Sequence, residues 1–363
     1  MNEVIRLDGE ILVRRHGALG RLTLNRPKAL NAVTLGMSVT MTEWLRRWAD
    51  DPAVGAILID GAGERGLCAG GDLRALYDAA KDTAKDAAKT RDPLPAKFWA
   101  AEYEMNVMIA RYPKPVVALM DGVVMGGGVG ISAHASHRVV TERSVVAMPE
   151  VQIGFFPDVG VSFLLTRAPG AVGRHLGLTG SRVGAADAIY AGLADIQIAA
   201  AQVGNLPAAL ADCGSRADVS ARLDALSVTP EPSGLAASRA FIDDHYAAAD
   251  VETIIAQLRR ATAAEATTAL AAIDRASPTS LKVTLRNLDD AARFGSVEES
   301  FRQDYRIALA CVAGHDFIEG IRATIVDKDR NPKWRPDSLK GVTPEIVDRH
   351  FRPVGALELN FAE

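Results

Sequence analysis

Cysteine is scarce: the 363 residues hold three, Cys68, Cys213 and Cys311. They are odd in number, widely separated and never spaced as CxxC, which argues against a disulfide framework or a cysteine metal site. Three unpaired thiols fit a reducing compartment, and the cytoplasm is the expected location. A surplus of positive charge is also absent, since 41 Lys and Arg stand against 45 Asp and Glu for a formal net charge of -4. General nucleic-acid binding is therefore excluded, because no excess cation is available to neutralise phosphates, although a local basic patch for one phosphorylated group remains open. No apolar run reaches the length of a membrane span, and the N-terminus, with Glu3, Asp8 and Glu10, lacks the basic and then apolar pattern of a signal peptide. The expectation is a soluble protein that stays where it is made. None of the seven histidines has a metal-like spacing with a partner, and His134 and His137 are expected in local hydrogen bonds. No metal is expected.

Hydrophobic and charged shares of 48% and 24% are ordinary for a globular chain, and the length allows one large domain or one domain with an appendage. Ile11 to Asn25 reads as a strand, a turn at His16 to Gly20 and a second strand. Thr34 to Trp48 has helical spacing, and Ala56 to Ile59 is a short apolar run of the kind a buried strand shows. Ala75 to Lys89 predicts a solvated helix, set apart by Pro93 and Pro95 from another over Phe98 to Arg111. Pro115 to Met120 is a further buried strand, Gly126 to Gly128 a tight turn, and Val129 to His134 the helix after it. Val139-Val140 and Val145-Val146 add short strands. Beyond residue 205 the texture becomes alanine-rich and helical, dividing the chain into 1–205 and 206–363. Ser277-Pro278 marks one helix start, and Ser296 with Glu299 has the spacing of a capping box. No internal repeat stands out.

Two glycine-rich turns follow two of the buried strands: Cys68-Ala69-Gly70-Gly71-Asp72, and Met125 to Gly128. If each opens a helix, each can present backbone N–H groups, and two such groups converging on one point make an oxyanion hole for a thioester carbonyl. The plainer reading is that the glycines only permit tight turns. Neither turn fits the GxGxxG fingerprint or a phosphate loop, since no GK[ST] follows. In Met148 to Gly160 two carboxylates, Glu150 and Asp158, flank an apolar loop. Burial beside Phe155 and Phe156 would raise a carboxyl pKa, and a second carboxyl would raise it further, so the pair could share acid, base or nucleophile duties. Solvated loop carboxylates are the alternative.

Asn25 to Ala32, Cys68 to Asp72, Gly126 to Gly128, Pro149-Glu150 and Pro157 to Gly160 together resemble the crotonase superfamily in order and spacing. The resemblance implies an α/β fold, a crotonase-like ββα spiral core with a helical C-terminal region. It implies that Gly71 and Gly127 supply the two oxyanion N–H groups. Lys28, Ala29 and Ala69 then lie along the coenzyme A moiety, with Asp72 also counted among the substrate-binding residues. Enoyl-CoA hydratases of this superfamily carry one glutamate shortly after the triple glycine and another in the Pro-Glu motif. Here Gly130 stands at the first position, Glu150 at the second, and Asp158 is an added acid. That combination is similar to the 3-hydroxyisobutyryl-CoA hydrolases, as are Glu102 in Ala101-Glu102-Tyr103, Ser277 to Leu281, and the run His315 to Ala323.

What the resemblance implies is hydrolysis of a short 3-hydroxyacyl-CoA thioester in valine catabolism. Glu150 would be the main catalytic carboxylate, with Asp158 orienting the substrate hydroxyl or water and Glu102 contacting substrate. The alternatives are an enoyl-CoA hydratase or isomerase using Glu150 alone, and a non-catalytic acyl-CoA-binding protein. No metal or redox cofactor is implied, coenzyme A being part of the substrate, and a homo-oligomer is one possible state. Asp316 and Glu319 are expected to be structural or capping groups, and Cys68, with no basic partner in view, is not assigned as a nucleophile.

Overall fold

The computed structural model describes residues 2–6, 9–85 and 94–361. Residues 86–93, which include Lys89 and Pro93, lie outside the described residues. Two compact units interleave along the chain. The first takes Met1–Gly71, Ala101–Val146 and Arg182–Ala236, and the second Asp72–Ala100, Ala147–Ser181 and Ala237–Glu363. The first unit thus runs past the change of texture at residue 205.

The strands are β1 (Asn2–Arg6), β2 (Ile11–His16), β3 (Leu19–Leu24), β4 (Ala56–Gly61), β5 (Val116–Met120), β6 (Val123–Met125), β7 (His137–Val140), β8 (Val145–Ala147) and β9 (Ile196–Gln197). Seven form one sheet in the order β1-β2-β3-β4-β5-β7-β9, and β6 pairs with β8 in a second. β2 and β3 are antiparallel, with Ile11 opposite Leu24 and Val13 opposite Leu22. Gly17 in their turn has φ 60, and a Cβ there would fall 2.5 Å from the Ala211 carbonyl oxygen, so the hairpin needs glycine twice over. From β3 onward the neighbours in the sheet run parallel. Every residue of β5 and all but the last of β4 are buried, as strands covered on both faces must be.

Short second segments follow β3, β4 and β5 before each helix: Val33 bridges Gly71, Cys68 bridges Val124, and β6 pairs with β8. The helices Leu35–Ala49, Leu73–Lys85 and Gly127–Ala133 come next in the chain. This is the repeated strand-strand-helix turn that the crotonase resemblance implies. Thr34 caps the helix Leu35–Ala49 by accepting the Met37 N–H at 3.1 Å, and Met37, Met41, Leu45 and Trp48 form its buried stripe. A Cβ on Gly20 would lie 2.7 Å from the Trp48 ring, so the bare backbone of β3 is what admits that indole. The last of these helices begins at Gly127 rather than after the glycines, because Gly126, at φ 51, already serves as its cap.

The second unit is mainly helical and includes Val161–Leu165, Pro278–Ala291, Val297–Ala313 and Asp316–Ile321. Ser277 accepts the Ser280 N–H ahead of Pro278, as that dipeptide predicts. The expected capping box at Ser296 is incomplete: the Ser296 hydroxyl turns to Glu299 instead of the backbone, and Glu299 takes the Gly295 N–H at 3.1 Å. Trp99 stacks on Phe155 at 5.3 Å, and Phe317 closes on Phe155 at 5.0 Å, giving this unit an aromatic core beside the loop that carries the two acids. Among the described residues no helix is long and apolar enough to cross a membrane.

Candidate active site

In the first unit, backbone pairing brings the two glycine turns side by side. Cys68 donates its N–H to the Val123 carbonyl at 3.1 Å, and Met125 donates to the Cys68 carbonyl at 2.9 Å. Gly70, at φ 114, then bends the chain in a region open to glycine. A Cβ placed on Gly127 would lie 3.5 Å from the Gly71 nitrogen and 2.4 Å from Glu102 Oε1. Gly71, Gly127 and the buried Glu102 carboxyl therefore occupy one small volume, with two backbone N–H groups beside one acid. The first N–H groups of a helix have no partner within it, so Gly127 can offer its N–H outward. Gly128 serves the packing instead, because its Cβ would meet the Cys68 carbonyl oxygen at 2.4 Å and only a bare backbone lets the two turns touch.

Lys28 and Ala29 lie exposed in the turn Pro27–Ala29, while Ala69 donates its N–H to the Leu30 carbonyl at 3.0 Å. Leu30 and Asn31 both take positive φ, 52 and 55. Asn31 holds that strained pair: its Oδ1 accepts the Arg26 N–H at 2.9 Å, and its Nδ2 donates to the Ala62 and Gly66 carbonyls, each at 3.0 Å. In the sequence Asn31 stands within the Asn25 to Ala32 motif with no role of its own. Its signal was the residue type, since Asn tolerates left-handed backbone and carries both a donor and an acceptor.

Cys68 is fully buried, and burial above all, with Glu102 adding to it, pushes its thiol up to about 12. Such a thiol is protonated at neutral pH, which agrees with leaving it out of the chemistry. His137 meets Ser136 Oγ at 2.9 Å and Ser220 Oγ at 3.0 Å, the local hydrogen bonds expected of it. Among the described residues no group of three or more His, Cys, Asp or Glu side chains could hold a metal ion.

In the second unit, Asp72 accepts the Ala75 N–H at 3.2 Å at the start of the helix Leu73–Lys85. Glu150 opens a tight turn, Glu150–Ile153, that ends in Gly154 at φ 71. Glu150 is 7% exposed and Asp158 5%, so the solvated alternative for this pair does not hold. The turn has a fitted seat. A Cβ on Gly154 would fall 2.2 Å from the Asp316 carbonyl oxygen, and one on Gly320 would fall 2.3 Å from the Ile153 carbonyl, backbone on backbone in both cases. Ser277 donates its N–H to the Val151 carbonyl at 2.9 Å and its hydroxyl to Asp316 Oδ2 at 2.6 Å. Asp316 Oδ1 accepts the Arg335 N–H at 2.8 Å. Burial pushes the Asp316 carboxyl up, and the Ser277 hydrogen bond pulls against it. Asp316 is thus structural, as expected, and Glu319 likewise pairs with Arg322. What the sequence did not reveal is that this segment forms the floor of the Glu150 turn.

The chain matches the family model described as enoyl-CoA hydratase/isomerase over residues 19–351. Among curated proteins it is 40% identical over 359 residues to the mitochondrial 3-hydroxyisobutyryl-CoA hydrolase of Xenopus tropicalis, covering 97% of this chain and 91% of that protein. The Homo sapiens protein of the same name is 38% identical over 362 residues, with coverages of 97% and 91%. Among solved structures, a carnitinyl-CoA dehydratase from Mycobacterium thermoresistibile superposes with a TM-score of 0.90 at 46% identity, over 98% of this chain and 99% of that one. An enoyl-CoA hydratase from Rhodobacter sphaeroides 2.4.1 does so with a TM-score of 0.89 at 40% identity, over 97% and 100%. The mitochondrial relatives overturn the cytoplasmic expectation. Unpaired cysteines report thiol-reducing surroundings and carry no information on which reducing compartment supplies them.

Proposed function

The chain belongs to the enoyl-CoA hydratase/isomerase family, and from that premise we propose that it hydrolyses the thioester of 3-hydroxyisobutyryl-CoA to the free acid and coenzyme A, as a step of valine breakdown. The observation that carries the reading is identity of about 40% along 97% of the chain with proteins of that activity by name. Gly130 supports it: the position that bears a glutamate in the hydratase pattern is here a buried glycine within the helix Gly127–Ala133.

In this reaction the Gly71 and Gly127 N–H groups stabilise the tetrahedral oxyanion, a role in which losing one donor costs about 3 kcal/mol. Glu150 supplies the carboxylate. It acts either as a nucleophile, giving an acyl-enzyme anhydride that water then opens, or as a general base that takes a proton from attacking water. On both routes the C–S bond breaks and the thiol leaves with one proton; water supplies the added oxygen, which enters the product acid directly or, where water opens the anhydride at the Glu150 carbonyl, enters Glu150 while a Glu150 oxygen passes to the acid. Asp158 orients the substrate hydroxyl or the water, and Glu102 contacts the substrate. Lys28, Ala29 and Ala69 line the coenzyme A moiety, and Asp72 is a further substrate-binding residue. Chemistry of this kind calls for no metal or redox cofactor.

Thiol release from 3-hydroxyisobutyryl-CoA by the wild type, beside Glu150→Gln and Asp158→Asn, tests the reading. Rapid release that both substitutions abolish is the expected result. The solved structures bearing dehydratase and hydratase names favour a second reading, in which Glu150 alone serves hydration. Consumption of crotonyl-CoA without thiol release from hydroxyacyl thioesters would overturn the hydrolase in favour of that reading. After one turnover in labelled water, label in Glu150 marks an anhydride that water opens at the Glu150 carbonyl, and its absence excludes that route.

A further inference from the structure

Behind the turn that carries Asp158 lies a polar network from the helices Pro278–Ala291 and Val297–Ala313 that the proposed reaction leaves unused. Asp304 sits at its centre with 0% exposure, accepting the Gly160 N–H on Oδ2 at 2.8 Å and Asn287 Nδ2 on Oδ1 at 3.1 Å. Asn287 Nδ2 also donates to Ser162 Oγ at 2.8 Å, and its Oδ1 accepts from Gln303 at 2.8 Å. The Ser162 hydroxyl in turn donates to the Pro157 carbonyl at 3.2 Å. Both ends of the segment from Pro157 to Gly160 are thereby tied to the two helices.

That segment needs tying. Val159 and Gly160 take positive φ in succession, 54 and 70, and a β-branched residue in left-handed backbone persists only where its surroundings over-determine it. A buried carboxylate is a costly choice of acceptor, since an amide could take the same N–H without a charge to desolvate. We propose that Asp304 is a positioning residue for the reaction, holding the turn that presents Asp158 and imposing its own charge on that neighbour. Burial first, and then the Asp158 carboxyl, push Asp304 well above the usual carboxylate range, while the Gly160 and Asn287 hydrogen bonds oppose them. Among the described residues, the titratable groups bearing on this space include Asp158 from the turn, Cys311 from the same helix as Asp304, and Asp316, which with Asp158 acts on Cys311 from the helix Asp316–Ile321. All are acids, and Asn287 and Gln303 are neutral.

The inference deepens the hydrolase reading and rests on it for its substrate. The experiment compares wild type, Asp304→Asn and Asp304→Ala, each checked for a cooperative melt, in thiol release from 3-hydroxyisobutyryl-CoA across pH. Asp304→Asn is expected to lower kcat about a hundredfold with KM little changed, the scale on which a misplaced reacting group acts. It is also expected to move the acid limb of the kcat profile to lower pH, because a charge has left the vicinity of Asp158. Asp304→Ala should lose more, having no acceptor for Gly160. An unchanged kcat and limb in Asp304→Asn overturns the proposal, and so does an equal loss in both variants with no movement of the limb, which would make the role packing alone. Should Asp304→Asn fail to fold, Asn287→Ala carries the test. It withdraws one donor from the carboxylate, so the same direction of limb shift is expected and a wild-type profile overturns the idea. Infrared titration of the carboxyls reads the pair without turnover. A carboxyl band that titrates above the usual carboxylate range and that Asp304→Asn abolishes supports the proposal, and identical spectra overturn it, whereas a wild type that releases no thiol overturns only the hydrolase reading.

Discussion

Gly127 and Cys68 show how little at the glycine turns depends on reactive side chains. A methyl group on Gly127 would enter the space of Glu102 Oε1, 2.4 Å away, and stand 3.5 Å from the Gly71 nitrogen. Gly127→Ala is therefore expected to fold and bind substrate yet lose about a hundredfold in kcat, the scale of one lost oxyanion donor; wild-type kcat in steady-state assays would refute this. Cys68, beside the same turn, has its thiol pushed up to about 12 and is buried. At about pH 8 almost none of it is thiolate, so iodoacetamide should leave Cys68 unmodified in the native protein and alkylate it in denaturant, as peptide mass mapping can check. Native labelling at the rate of a free thiol would contradict the burial described.

At the scale of elements, Glu150 is placed by a segment distant in sequence. Gly320 lies against the Ile153 carbonyl with no room for a Cβ, which would come within 2.3 Å of backbone atoms. Because neither backbone can move aside like a flexible side chain, Gly320→Ala is expected to lower the melting temperature by several degrees and kcat by about tenfold or more, on the order of the cost of overpacking and of a displaced reacting group. Ser277→Ala removes both a helix cap and the hydroxyl that satisfies the buried Asp316 carboxyl. A loss of roughly 2 kcal/mol in urea unfolding is expected, more than the roughly 1 kcal/mol of a cap alone. A loss no larger than that of the cap would show that Asp316 finds another donor.

At the scale of the whole chain, His175 is one contributor to acid sensitivity. His175 packs edge-on against Tyr246 with ring centroids 5.0 Å apart, and burial holds its imidazole down at about 4, against an ordinary 6.5. The folded state therefore keeps it neutral where the unfolded chain takes up a proton. Stability associated with this residue is complete above pH 6.5 and is lost as the pH falls from there to about 4, by about 3 kcal/mol at most. His175→Asn, which cannot titrate, should flatten the stability curve between those limits when unfolding is followed by denaturant at each pH. Parallel curves for variant and wild type would assign the acid sensitivity to other groups.

Much of this was legible in the residues themselves. Alternation and apolar runs placed β2 to β5, and Ser277 and Ser296 marked helix starts, because these signals act between near neighbours in the chain; the glycine, Asn-Arg-Pro and Pro-Glu motifs carried the resemblance that implied the spiral. Asn31, Gly320 and Asp304 gave no comparable signal. Their partners are 5 to 35 residues away for the Asn31 side chain and 144 for Asp304 and Gly160, and a hydrogen bond or backbone contact at such a separation is encoded in no local pattern. Composition likewise reported reduced thiols but not the compartment that keeps them so. The sequence by itself determined which backbone turns and which acids this protein carries. Tertiary structure alone decided which acids are buried and what holds them, since desolvation and packing are properties of surroundings that only the folded chain assembles.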